Sequence, residues 1–397
     1  MRRRVLFFGE GVTLAHVGRP FALAGALPAE RFEAVVACPE RYHRFAPAGV
    51  ASRPLASQSP EEFNARLADG RRLHTEARLE NQIVEDLRLI EAARPDVVVG
   101  DFRLSLAASA RTAGVPYVSI SNAYWDPDRP WRPKPPPLGG LKRMPPWAGR
   151  ALFRLAWPRL MRRHAEPIAA VLARRGVDIG PDIRRAFTEA DLTLYADFPS
   201  LHPDVRPSET RRFMGPLNWE PPAPPPPWWD SLPADRPLAY CTLGSSGDIL
   251  SLQAAVSALR EQGYTVIAAT AGRAAPAPAE GLFAADYLPG RAAAARAELV
   301  VCNGGAPTAN QALLEGRPVL GICGNLDQLL NMQALERAGA GLSLRSDRAD
   351  GPRISNAIGS LTAGAQATAA RALRVEGAGL NPIQTFVDAL DGLAAGR

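Results

Sequence analysis

The stretch that most constrains the fold is LVVCNGGAPTANQALLEGRPVLGICGNLDQLLNMQALERAGAGLSL, from Leu299 to Leu344. An apolar run, Leu299 to Cys302, stops at Asn303-Gly304-Gly305, and a helix-like segment follows from about Ala306 to Leu314. Gly316-Arg317-Pro318 breaks it, a second apolar run covers Val319 to Cys323, and Asn325-Leu326-Asp327-Gln328 opens another helix. Strand, glycine-rich turn, helix, strand, polar turn, helix is a βαβα unit, the building block of α/β folds. The amides of Gly304 and Gly305 sit where a helix begins, with about half a positive charge at its N-terminus and a suitable place for a phosphate. The Thr308 hydroxyl adds a donor there. Asp327 and Gln328, just past the next strand, offer the mixed donors and acceptors that suit a polyol. An ordinary turn and helix cap reads equally well from spacing alone.

The same grammar runs through the rest of the chain. Val5–Gly9, Ala34–Ala37, Val97–Gly100, Tyr117–Ile120 and Leu192–Tyr195 read as short buried strands. They alternate with helical segments at Val17–Leu27, Ser59–Ala93 and Phe102–Ala113, the pattern of a doubly wound parallel sheet. Between Ser121 and Arg150 the pattern breaks into a long loop with eight prolines and four aromatic residues. Trp147 to Arg175 reads as helical, kinked or divided by Pro158 and Pro167. Pro216–Pro233 holds eight prolines and three tryptophans, a stiff spacer. Beyond it Leu238–Leu243 is a strand, Gly244-Ser245-Ser246-Gly247 a turn that suits phosphate, Asp248–Gln262 a helix and Tyr264–Thr270 a strand. The last segment, Pro382–Leu393, is helical. At 397 residues the chain suggests two domains: 1–215, a linker 216–233, and 234–378, with 379–397 a terminal helix returning to the first.

No run of about 18 apolar residues exists, so a membrane-crossing helix is not expected. The net charge of +6 comes nearly all from arginine, since Lys134 and Lys142 are the only lysines. Together with abundant Ala, Gly and Pro this reads as coding bias rather than binding to nucleic acid or an anionic membrane. The four cysteines (Cys38, Cys241, Cys302, Cys323) are scattered, three of them in or beside strand-like runs, and read as core thiols of a cytoplasmic protein. No metal-ligand cluster, Walker loop or GxSxG elbow appears. His16 and Asp101 each lie just beyond a strand's C-terminal end, where ligands bind in open α/β sheets. A histidine oriented by a carboxylate is a general base, worth about 10²–10⁴ in rate; caps and turns would use the same residues. The basic aromatic stretch Trp131–Arg163 suits either a membrane surface or an apolar acceptor pocket, and a solvated helix face reads as well.

These residues together resemble the GT-B glycosyltransferases of the UDP-glycosyltransferase type (family 1 and the related family 28), including macrolide- and flavonoid-glycosylating enzymes. VCNGGAPTANQALLEGRPVLGICGNLDQLLNMQALERAGAGLSL is similar to their donor signature, LAHVGRPFALAGAL to the region of their catalytic His, PDVVVGD to that of its Asp partner, and CTLGSS to the first strand and phosphate turn of the C-terminal domain. The resemblance implies two Rossmann-like domains facing across a cleft. It implies an inverting, metal-independent transferase that moves a hexose from a nucleotide-sugar, UDP-linked first and dTDP-linked second, with no further cofactor. His16 and Asp101 are the implied base and its partner; Ser245, Asn303, Gly304, Gly305, Thr308, Gln311, Asp327 and Gln328 are the implied donor contacts. The acceptor is expected to be an apolar or amphipathic small molecule or lipid, at the inner face of a membrane if lipid-linked. Four positions depart from the pattern: Asn303 replaces a His, Pro307 a Gly, Gln311 a Glu and Gly290 a Gln. A GT-B-shaped binding protein with weakened donor chemistry, and a nucleotide-sugar epimerase, are the alternatives.

Overall fold

The computed structural model describes residues 2–395 except Trp131, Arg143, Ser245, Ser246 and Asp248. The chain forms two compact units, one of residues 1–131, 151–219 and 380–397, the other of residues 132–150 and 220–379. The second therefore takes in a segment that lies, in sequence, inside the stretch read as the first domain.

The first unit is built on seven strands: β1 (Arg3–Gly9), β2 (Phe32–Cys38), β3 (Ala51–Pro54), β4 (Val97–Asp101), β5 (Tyr117–Ser121), β6 (Leu192–Tyr195) and β7 (Arg211–Phe213). Every pairing is parallel, in the order β3-β2-β1-β4-β5-β6-β7. β4 is buried along its whole length, as a central strand covered on both faces requires. The strand order reverses between β1 and β4, which opens a crevice at their C-terminal ends. There Gly9 pairs with Asp101. The register thus sets the helix after β1 beside the last residue of β4. The terminal helix Pro382–Ala395 belongs to this unit: Phe386 is buried with its ring 6.0 Å from Phe7, and Arg3 donates 2.7 Å to the Leu390 carbonyl.

The second unit repeats the plan with β8 (Leu238–Thr242), β9 (Thr265–Ala269), β10 (Leu282–Ala285), β11 (Leu299–Cys302), β12 (Val319–Cys323) and β13 (Gly341–Arg345). The order is β10-β9-β8-β11-β12-β13, again all parallel, with the switch between β8 and β11, where Thr242 pairs with Cys302. All four cysteines of the chain are buried and unpaired.

Several elements differ from the sequence expectation. Ser59–Ala93 is two helices, Pro60–Ala68 and Glu76–Ala93, because Ser59 and Thr75 each cap a separate start. The helix read as Phe102–Ala113 begins at Leu106; Phe102 adopts φ 61°, which no right-handed helix accommodates. Pro158 and Pro167 do not divide the helix Pro146–Ala173. Pro158 lies on its exposed side, so the carbonyl four residues earlier, on exposed Arg154, faces outward. The edge strands β3 and β7, ASRP and RRF, have no apolar run to signal them. The proline-rich linker is anchored at both ends. Trp219 packs edge-on against Phe45 in the first unit, and in the second Arg296 lies over the Trp229 ring while Trp228 meets Phe283.

Candidate functional site

Each unit carries a group of candidate residues at its own switch point. In the first, the helix Ala15–Ala26 begins six residues after β1 and presents His16 and, one turn on, Arg19 from the same face. His16 Nδ1 lies 2.7 Å from Asp101 Oδ1. An ionised carboxylate only accepts, so Nδ1 carries the proton and the Nε2 lone pair is the basic one. The Asp101 side chain is 1% exposed and that of His16 21%, so the imidazole keeps access while the carboxylate does not. Arg19 grips both Asp101 oxygens, Nε donating 2.6 Å to Oδ2 and Nη2 2.8 Å to Oδ1. Its Nη1 donates 2.9 Å to Asn122 Oδ1. Asn122 Nδ2 in turn donates 2.9 Å to Asp197, which also accepts from the Ala123 amide. The 3.3 Å approach of Arg19 Nη2 to His16 Nδ1 is the spacing of two donors sharing Oδ1. Burial works against the Arg19 charge, but Asp101, with smaller contributions from Tyr124 and Asp197, outweighs it, and the guanidinium ends above its ordinary value.

The strained backbone at Phe102 has a visible result. Its ring stacks on His16, centroids 4.6 Å apart and planes at 14°, which holds the imidazole flat against one wall. Phe102 also meets Phe63 at 5.9 Å and Phe187 at 5.5 Å, and Phe187 meets Trp125 at 4.6 Å. His16 therefore stands at the edge of an aromatic cluster.

In the second unit the turn after β11 is tightly made. Gly304 has φ 83°, and a Cβ there would stand 2.7 Å from Cys323 Sγ and 2.8 Å from Met332 Cγ, so only glycine fits. The Gly304 carbonyl accepts 2.8 Å from Asn331 Nδ2, a fully buried amide. The glycine amides already have partners: Gly304 N–H faces Cys302 Sγ at 3.2 Å, and Gly305 N–H donates 3.0 Å to Asn303 Oδ1. Pro307 contributes no N–H to the first turn of the helix Ala306–Leu314. Among the described residues this leaves the amides of Ala306 and Thr308 as the uncommitted first-turn donors, with half-buried Thr308 also bringing its hydroxyl. Past β12, Asn325 Oδ1 accepts from Gln328 N, and Gln328 Oε1 accepts 2.7 Å from Gly324 N. The pair forms a reciprocal cap that fixes Asp327, half-buried, on the first turn. Ser245 lies outside the described residues. Arg273 donates to the carbonyls of Gly244, at 2.5 Å, and Gly247. A cation thus stands at the turn after β8.

Gly290 and Gln311, two of the departures from the family pattern, are coupled. A Cβ at position 290 would lie 2.5 Å from Gln311 Oε1 and 3.4 Å from its Nε2. The buried Gln311 amide occupies the space that a larger residue at 290 would take.

A PGL/p-HBAD biosynthesis rhamnosyltransferase of Mycobacterium bovis (strain BCG / Pasteur 1173P2) is 46% identical over 363 residues, covering 90% of this chain and 80% of that protein. A PGL/p-HBAD biosynthesis glycosyltransferase of Mycobacterium tuberculosis (strain ATCC 25177 / H37Ra) is 44% identical over 371 residues, 92% of this chain and 86% of that one. The chain belongs to the PGL/p-HBAD biosynthesis glycosyltransferases. No protein-family model matches this glycosyltransferase. Among solved structures, the spinosyn rhamnosyltransferase SpnG superposes with a TM-score of 0.69 at 21% identity, covering 98% of this chain and 100% of that one. The two parallel α/β units are those of the GT-B fold.

Within this glycosyltransferase the structure joins His16 to Asp101 across 85 residues of sequence and gathers Asn303, Gly304, Gly305, Thr308, Asp327 and Gln328 at the ends of β11 and β12. Sequence reading missed Arg19, Phe102, Asn122 and Arg273. For Arg19 a signal existed: a basic residue one helical turn from His16 shares its face. For Arg273 there was none, since it lies in a loop 26 residues beyond the carbonyl of Gly247 that it holds.

Proposed function

We propose that this glycosyltransferase moves a 6-deoxyhexosyl group from a dTDP-linked donor to a hydroxyl of an amphipathic acceptor, with inversion and without a metal ion. The observation that carries the reading is the His16–Asp101 pair at the switch point of the first sheet. His16 Nε2 takes the acceptor's hydroxyl proton. The freed oxygen attacks the anomeric carbon from the face opposite the phosphate, the new C–O bond forms as the old one breaks, and the nucleoside diphosphate departs. The imidazolium produced is stabilised by Asp101, which Arg19 holds in place.

Charge on the leaving diphosphate is met by the N-terminus of the helix Ala306–Leu314, by Thr308 and by Arg273, which stands in for the cation lost where Asn303 replaces a histidine. Asp327 and Gln328 take the sugar and Gln311 the ribose. The sequence put UDP first. The solved complex of SpnG with thymidine diphosphate favours dTDP, and the rhamnosyltransferase relatives favour a deoxy sugar. The aromatic cluster beside His16 favours an acceptor with an apolar body and a hydroxyl at its end.

In buffer containing EDTA, thymidine diphosphate is expected to raise the unfolding temperature more than uridine diphosphate. A ligand at a hundred times its Kd adds about 2.7 kcal/mol. No shift with either nucleotide defeats the donor assignment, and a shift that requires added magnesium defeats metal independence. A second expectation concerns the coupled pair. Gly290→Ala pushes the Gln311 amide aside and weakens nucleotide binding about fivefold, the loss of roughly one hydrogen bond. Alanine suits a helix start at least as well as glycine, so any fall in thermal stability should be limited to displacing that buried amide, about 1 kcal/mol. Titration calorimetry showing unchanged affinity removes Gln311 from the nucleotide site.

A further inference from the structure

From Arg132 to Ala165 the chain has nine lysines and arginines and no aspartate or glutamate. Most of this run is the first two-thirds of the helix Pro146–Ala173. That helix turns Phe153, Trp157, Ala165 and Ile168 inward. It leaves Leu152 45% and Leu155 71% exposed, with Arg154, Arg159, Arg162 and Arg163 exposed beside them. Leu152, Leu155, Arg159 and Arg162 follow at three- and four-residue spacing, so they share one face. Among the described residues none of the four arginines has an ion-pair partner. Arg174 and Arg175, just past the end of the same helix, are paired with Glu76 and Glu80. The unpaired arginines are therefore confined to the stretch that also exposes leucine, and the first turn adds Trp147, 74% exposed.

A row of unpaired cations interleaved with protruding leucines repels itself in water. It gains most against a surface that is anionic and apolar at once. Nucleic acid would meet the arginines but leave both leucines without a partner. A second copy of this face would set arginine against arginine. We propose that the Leu152–Arg163 face docks on an anionic lipid bilayer, the leucines entering the boundary between headgroups and acyl chains and the arginines meeting lipid phosphates. The inference rests on this surface alone and is independent of the donor chemistry. It gives an amphipathic acceptor a direct route to the first unit from the lipid phase.

Flotation tests it, with vesicles of phosphatidylcholine containing 30% phosphatidylglycerol against phosphatidylcholine alone, in about 0.1 M salt. The protein is expected to float with the anionic vesicles only and to be released by about 0.5 M salt, where charges are screened within a few ångströms. Arg159→Gln/Arg162→Gln/Arg163→Gln should lower partitioning about a hundredfold, at roughly fivefold per cation. Leu152→Gln/Leu155→Gln should lower it about tenfold. Both variants should keep the thermal shift with thymidine diphosphate, which separates loss of docking from loss of the nucleotide site. Wild-type partitioning by either variant, equal binding to neutral vesicles, binding to a DNA duplex in place of vesicles, or a dimer that Leu155→Gln dissolves would each overturn the proposal.

Discussion

Replacing His16 with alanine is expected to cut sugar transfer by about 10²–10⁴ and to leave the fold and nucleotide affinity in place. The kinetic loss follows from geometry. Nδ1 is committed to Asp101 at 2.7 Å, so Nε2 is the nitrogen left for the proposed proton transfer, and alanine would leave the acceptor hydroxyl to water. The structural tolerance follows from Arg19. Without His16, both Asp101 oxygens still accept from the guanidinium at 2.6 and 2.8 Å, so no buried charge is orphaned. What is lost is one partly exposed ring and its stack on Phe102, about 1 kcal/mol. Asp101→Asn would be a poorer test, because it strips buried Arg19 of its countercharge and confounds rate with stability. Initial rates of nucleoside diphosphate release with acceptor present, alongside thermal unfolding, decide the matter. A variant that transfers within a few-fold of the wild type means that another group takes the proton.

What could be read from the sequence follows from which interactions are local. The apolar runs of β1, β4, β8, β11 and β12 announced a parallel sheet because central strands are buried on both faces and carry continuous Val, Leu and Ile. The edge strands ASRP and RRF need no such run and were silent. The glycine turn at Gly304 was legible because its left-handed backbone leaves few choices of residue. For Arg19 only the face was legible, one helical turn from His16; that it would hold a carboxylate 82 residues away, and that Phe102 would stack on His16, depends on contacts distant in sequence. The coupling of Gly290 to Gln311 was hidden for the same reason. Each looked like an independent departure from the family pattern, and their contact makes them one change.

The largest loss of stability is expected from Arg103→Met. Arg103 follows Phe102 directly and is fully buried. Its Nε donates 2.9 Å to Asp86 Oδ1, Nη1 reaches Glu10 Oε2 at 2.9 Å and the Ala56 carbonyl at 2.8 Å, and Nη2 reaches Glu85 Oε2 at 2.9 Å. One cation thus serves three carboxylates, two of them, Glu10 and Asp86, buried. Methionine fills much of the volume but leaves those two charges without a counterion, which costs about 3–5 kcal/mol. For a unit of this size that lowers the melting temperature by about 10 °C. The pH dependence carries the distinguishing sign. Burial already pushes the Asp86 carboxyl above its usual value, opposed by Arg103, Ser105 and Ser109. Removing Arg103 raises it further, so the folded variant binds a proton more readily than its unfolded chain does. Such a group destabilises above its folded pKa, and the cost fades as pH falls toward the ordinary carboxylate range. The gap between variant and wild type should therefore be widest near pH 7 and narrow on acidification, as followed by thermal melts across that range. A deficit that stays constant with pH would mean that Arg103 contributes packing rather than charge. Because Asp101 and Phe102 immediately precede it, the same melts, run beside initial rates, show whether the ion network also holds the His16–Asp101 pair in register.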